Sequence, residues 1–177
     1  MKREKKTDII SIQEPYTFQS KTAGIPKKYE TSTSREGTCR AAVMATYNQI
    51  DTMLIQELSD ADTVVVEIIK GNLKIILVSM YFDRENLIKH DLAKIEAVLR
   101  HAKGTGVLIT TDSNARSILW YDTETNTRGR ILEEFITSNR LHIMNEDCSK
   151  TTFRNHMGTT NIDLTIISPQ KIRNVSG

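Results

Sequence analysis

The sequence predicts an α/β protein of mixed, mainly antiparallel sheets with helices on the outside. Three observations carry this. Many short apolar, β-branched runs are separated by polar turns, and only two segments show a helical period. A hairpin also stands directly before a β-α-β stretch that runs from Leu73 to Thr111. Two sheets packed face to face would bury these strands on one side and leave the helices to cover the other. At 177 residues, the chain suits a single domain spanning 1–177.

The elements follow in order. Residues 8–14 are β-branched and flanked by charge, which predicts a buried strand ended by Pro15, whose ring removes a backbone donor. Residues 16–36 hold Gly24, Pro26 and a Ser/Thr run and are expected to form a long loop. Cys39–Tyr47 and Thr52–Leu58 are apolar enough for strands. Thr63–Ile69 and Leu73–Tyr81 flank Lys70-Gly71-Asn72, the clearest hairpin signal in the chain. From Asn86 to Ala102 the period changes: Leu87, Ile88, Leu92, Ile95, Val98, Leu99 and Ala102 share one helical face, and Gly104 and Gly106 stop the helix. Residues 106–111 form the next strand and Arg128–Asn139 a second helix. Leu141–Met144, Thr151–Arg154 and 161–167 complete the strands, and no internal repeat or linker divides the chain.

Composition excludes several classes. With 38% hydrophobic and 26% charged residues the chain is ordinary soluble globular in character, and a net charge of +2 gives no global basic field. Cys39 and Cys148 are too few and too far apart for a disulfide framework or a zinc site, which points to a reducing, intracellular setting. No apolar run reaches membrane-spanning length, and the charged start Met1-Lys2-Arg3-Glu4-Lys5-Lys6 is no signal peptide.

Chemistry concentrates at strand ends. The apolar run Gly106–Thr111 ends in Asp112-Ser113-Asn114, Glu14 closes the first strand, and Asp163 lies within Asn161–Ser168. Three strands each carrying an acid near one end suggest one site assembled from distant parts of the chain. Hard carboxylate oxygens suit magnesium, which keeps several waters and takes a phosphate oxygen, better than they suit zinc. On an extended chain Asn114 points to the same side as Asp112, where its amide can orient a phosphate or a water without adding charge. Tyr81 also ends a strand, and its hydroxyl either reaches a phosphate or is the wet tip of a core aromatic. Trp120 is either a packing anchor or a face for stacking on a base. Of the four histidines, only His156 is placed for proton transfer, and Cys148 reads as a small buried hydrophobe.

Taken together, these motifs resemble the endonuclease/exonuclease/phosphatase superfamily. Gln13-Glu14, Ser79-Met80-Tyr81, Thr111-Asp112-Ser113-Asn114-Ala115 and Thr159-Thr160-Asn161-Ile162-Asp163-Leu164-Thr165 occur in the family's order. Asn114-Ala115-Arg116-Ser117-Ile118-Leu119-Trp120, the Gly129–Ile136 helix and Thr152-Phe153 are most similar to endonuclease domains of insect non-LTR retrotransposons of the R1 and TRAS type. The resemblance implies a four-layer α/β sandwich and a divalent-metal phosphodiesterase that nicks DNA to prime reverse transcription. It implies Mg2+, with Mn2+ as a substitute, and a longer polyprotein with a reverse transcriptase acting in the nucleus. By resemblance, Glu14 binds the metal, Asp112 positions or deprotonates the attacking water, Asn114 and Tyr81 hold the phosphate, and Asp163 is the acid that orients a catalytic histidine. Asn161, Trp120 and Arg116 are the substrate-contacting candidates.

Two departures temper this. The family's first strand, which carries an Asn, has no counterpart before Gln13-Glu14, and no Ser-Asp-His occurs anywhere in the sequence. Arg116 also stands where related elements often carry a histidine. The chain is therefore expected to be incomplete at both termini and weak or inactive by itself, since losing an acid-base group costs about 10²–10⁴-fold. The alternatives are a catalytically dead remnant that only binds, or a superfamily phosphatase or phosphodiesterase acting on a lipid or small-molecule phosphate.

Overall fold

The hairpin predicted around Gly71-Asn72 forms two neighbouring strands of a six-stranded sheet. The computed structural model describes residues 7–18, 21–26, 29–33, 39–46, 50–147, 153–155 and 158–169. In chain order the strands are β1 (Ile9–Gln13), β2 (Thr17–Phe18), β3 (Lys21–Thr22), β4 (Glu30–Ser32), β5 (Ala41–Ala45), β6 (Asp51–Leu54), β7 (Thr63–Lys70) and β8 (Leu73–Tyr81). Helix α1 (Ile88–Ala102), β9 (Gly106–Asp112) and helix α2 (Thr127–Ser138) follow, then β10 (His142–Ile143), β11 (Phe153–Asn155), β12 (Gly158–Thr160) and β13 (Asp163–Ile167). The large sheet runs β10-β13-β9-β8-β7-β6, and β1-β5-β4 form a three-stranded sheet. Only the β8–β9 pair is parallel among the described pairings, as its helical crossover through α1 requires.

Each face of the large sheet has its own apolar cluster. Val65, Val78, Met80, Ile109, Leu164 and Ile166 meet Leu92, Ile95 and Val98 of α1 and Leu132, Phe135 and Ile136 of α2. On the opposite face Val64, Val66, Ile68 and Leu77 meet Ala41, Val43 and Ile50. This alternation along β7 and β8 is the two-residue period of a strand buried on both faces. The expected sandwich of two sheets flanked by helices is thus present. Both helices cover the same sheet, so the described residues supply three of the four layers expected.

The local differences are physical. The segment expected to be a long loop contains the β2–β3 pair, and β4 pairs with β5, because cross-strand hydrogen bonds can order a polar run that shows no periodicity. The strand expected over Thr52–Leu58 ends at Leu54 and becomes a 3-10 turn at Gln56–Leu58, where Ser59 Oγ donates to Ile55 O at 2.9 Å. Helix α1 stops as predicted, with Lys103 in the left-handed region followed by Gly104. Cys148 and His156 lie outside the described residues.

Candidate active site

The large sheet brings three of the candidate residues into one row. Tyr81 is the last residue of β8, Asp112 the last of β9 and Asp163 the first of β13. The parallel register pairs Tyr81 with Asp112, and the antiparallel register pairs Asp112 with Asp163. Residues directly opposite one another share a face. Their strand neighbours Met80 and Leu164 point into the helix-side core, so the row faces the three-stranded sheet.

That sheet delivers Glu14. The side chains of β1 interlock with the same face: Ser11 Oγ meets Thr110 Oγ1, and Gln13 Nε2 donates to Ser79 Oγ at 3.0 Å. Ser79 Oγ donates in turn to Ile12 O at 3.1 Å. Immediately beyond, Glu14 takes a left-handed φ of 50° and donates its backbone N–H to Arg40 O at 2.9 Å. A non-glycine residue held there is under local strain that its surroundings must impose. The carboxylate stays exposed at the rim.

The acids act on one another. Burial, followed by the nearby charges of Asp163 and Glu14, pushes the Asp112 carboxyl up to about 6, against a partial lowering by the Asn114 N–H. That N–H donates to Asp112 Oδ1 at 3.2 Å. Burial also raises Tyr81, reinforced by Glu14 and Asp112, so its hydroxyl is held as a neutral donor. Glu14, Tyr81, Asp112 and Asp163 therefore share one electrostatic neighbourhood.

Asn114 is fixed more tightly than its sequence position suggested. It sits at φ 46°, a conformation asparagine tolerates better than most residues. Its Nδ2 donates to Phe82 O at 2.9 Å, and its Oδ1 accepts from Arg84 Nε at 2.5 Å. Arg84 escaped the sequence reading. The one available signal was a cation three residues beyond Tyr81, yet this residue brings positive charge to Asp112.

The three substrate-contacting candidates each have partners within the fold. Trp120 is 1% exposed and its Nε1 donates to Ala115 O at 3.2 Å. Of its two expected roles it fills the packing one, because its faces are buried and offer no base a surface to stack on. Arg116 donates from Nε to Asp122 Oδ1 at 3.0 Å and from Nη1 to Glu124 Oε1 at 2.5 Å. Asn161 is 8% exposed, donating from N to Asp122 Oδ2 at 2.9 Å and from Nδ2 to Tyr121 O at 2.7 Å. Together they brace the loop between β9 and α2 against the segment before β13. Ser113 tightens the same junction, donating from N and Oγ to Ile162 O at 2.8 and 2.7 Å.

A divalent cation fits the donor chemistry of this rim. Among the described residues no group of three or more acid, histidine or cysteine side chains converges to cage an ion. Magnesium does not need such a cage, since one or two carboxylates with waters and a phosphate oxygen suffice. Burial, with the nearby charges of Asp163 and Glu14, raises Asp112, and the positive charge of Arg84 offsets part of that rise.

Known proteins share this chain's sequence and fold. An endonuclease-reverse transcriptase family model matches residues 75–176, more than half of the chain. A 115 kDa protein in the type-1 retrotransposable element R1DM of Drosophila melanogaster is 27% identical over 175 residues, covering 94% of this chain and 17% of that protein. The Pol polyprotein of the type-1 retrotransposable element R1 of Bradysia coprophila is 27% identical over 162 residues, covering 85% of this chain and 16% of that protein. The chain thus spans about one sixth of these curated relatives. Among solved structures, the endonuclease domain of TRAS1, a telomere-specific non-LTR retrotransposon, superposes with a TM-score of 0.80 at 28% identity, covering 92% of this chain and 73% of that one. An AP endonuclease of Leishmania major shares the fold, with a TM-score of 0.67 at 9% identity, over 92% of this chain and 70% of that one. Family model, relatives and architecture agree: the chain belongs to the endonuclease-reverse transcriptase family, within the R1 and TRAS type of the endonuclease/exonuclease/phosphatase superfamily.

Proposed function

We propose that this chain carries the DNA-cutting site of a retrotransposon polyprotein, a divalent-metal-dependent phosphodiesterase that nicks one strand of target DNA to prime reverse transcription. The observation that carries this reading is the row of Tyr81, Asp112 and Asp163 across three adjacent strands, with Glu14 brought to the same rim.

Glu14 would hold a magnesium ion, with manganese as a substitute, and the ion when bound supplies charge neutralisation at the phosphate and the leaving oxygen. Asp112 takes the proton of the attacking water. A carboxylate raised to about 6 is a stronger base than a free one and is still largely ionised at neutral pH. Tyr81, kept neutral, donates its O–H to a phosphate oxygen. Asn114 presents an amide whose orientation Phe82 O and Arg84 fix, so its free N–H is preorganised for the phosphate. Asp163 keeps Asp112 basic and is the acid expected to orient an imidazole. Because the sequence contains no Ser-Asp-His, cutting by this chain alone is expected to be slow.

The test is cutting of an end-labelled DNA duplex with magnesium and with EDTA. Cleavage of a single strand, dependent on the metal, supports the reading. Cleavage in EDTA overturns it, as does metal-dependent phosphate release from a small phosphomonoester with no cut in DNA.

A further inference from the structure

Arg40, the residue immediately before β5, reaches the same rim from below. Its Nε and Nη2 meet the two carboxylate oxygens of Asp62 at 2.6 and 2.8 Å, and Nη1 meets Asp83 Oδ2 at 2.8 Å. The guanidinium carbon lies 4.8 Å from the centroid of the Tyr81 ring. Its backbone is equally engaged: Arg40 N donates to Ala61 O at 2.7 Å, and Arg40 O receives the Glu14 N–H at 2.9 Å. Tyr81 N in turn donates to Asp62 O at 2.8 Å. One residue thus touches the Glu14 backbone, the face of Tyr81 and the Asp83 carboxylate, which sits beside Arg84.

We propose that Arg40 is a positioning residue for the reaction, setting the plane of the Tyr81 ring and the turn that presents Glu14, without itself meeting substrate. Its link to catalysis rests on the phosphodiesterase reading, whereas the effect on the ring does not. Three of its donors are committed to two carboxylates in a fork, which fixes the guanidinium plane. A planar cation over an aromatic face then fixes the ring. Lysine, a point charge on a flexible stem, can neutralise one of these acids but cannot reproduce the fork and the stack together. The pair also explains how the strained φ at Glu14 persists, since the carbonyl receiving its N–H belongs to a residue pinned at both main chain and side chain.

The test uses 13C-tyrosine-labelled chain, with Tyr81→Phe to assign the Tyr81 signal, and compares wild type with Arg40→Lys and Arg40→Met. The proposal expects the Tyr81 ring resonances to move in both variants while those of Tyr121 stay in place. It also expects nicking of bound DNA to slow roughly 10–100-fold, a loss typical of misplaced reacting groups, with DNA affinity changing less than about threefold. If Arg40→Met fails to fold because Asp62 is left unpaired, Arg40→Met with Asp62→Asn removes that charge and gives the same readout. Unmoved Tyr81 resonances overturn the proposal, as does a moved resonance with unchanged nicking. A wild type that does not cut DNA, with Tyr81 still shifting on substitution, would instead overturn the phosphodiesterase reading and leave the ring-setting contact standing.

Discussion

Replacing Asp112 with Asn should destroy cutting and at the same time stabilise the metal-free protein. Raising a carboxyl from 3.8 to about 6 separates its ionised and protonated forms by about 3 kcal/mol. Asp112 is only partly buried, so solvent screening reduces this to roughly 1–2 kcal/mol. The sign follows from linkage. An acid whose folded value lies above its unfolded value binds more protons in the folded state, so its contribution is fully present below about 4 and is lost as pH rises through about 6. At pH 7.5 the wild type therefore bears the full cost of the charge, and Asn avoids it while its Oδ1 still accepts the Asn114 N–H. Thermal unfolding in EDTA should show Asp112→Asn melting roughly 2–8 °C higher at pH 7.5, at about 2–4 °C per kcal/mol for a chain of this size, and converging on wild type below pH 4. Asp91, also raised to about 6 by burial, is common to both proteins and cancels. A variant that is less stable at pH 7.5 would refute the claim that this carboxylate is held at a cost for function.

Other consequences can be checked alongside. Magnesium-free binding aside, the cutting rate should climb as pH rises through about 6, where Asp112 ionises, and a rate flat from pH 5 to 8 would remove it as the base. Gly129→Ala should destabilise by roughly 1–3 kcal/mol or more in denaturant melts, because the new Cβ would sit 1.9 Å from Arg116 O. Helix propensity alone would favour Ala by about 1 kcal/mol, so a stabilised variant would show that this close approach of α2 is not obligatory. Trp120→Ala should cost about 3–5 kcal/mol of stability, as expected for an emptied core site. Normal stability with weakened DNA binding would restore the stacking role that its burial contradicts.

Local chemistry was legible where it is carried by contiguous residues. The apolar run closing on Asp112-Ser113-Asn114 placed Asp112 at a strand end, and the period change between Tyr81 and Asn86 located α1 to within two residues. The pairing of Asp112 with Asp163 was not legible as a contact, because register between strands 51 residues apart leaves no local pattern. Arg40 and Arg84 were missed for the same reason: their partners Asp62, Asp83 and Asn114 lie 22, 43 and 30 residues away. Trp120 has polar neighbours in sequence, and only the folding of Ala115 and the helix core around it shows that it is buried. That Arg116 and Asn161 share the carboxylate of Asp122 was not legible either, because Asn161 lies 39 residues from it.

The central claim is that Glu14 and Asp112 serve one metal-dependent cutting site. Its most direct test is magnesium-dependent nicking of supercoiled plasmid by this chain, by Glu14→Ala and by Asp112→Ala. Slow nicking by the wild type that both substitutions abolish is the predicted result. Nicking that survives either substitution would contradict it.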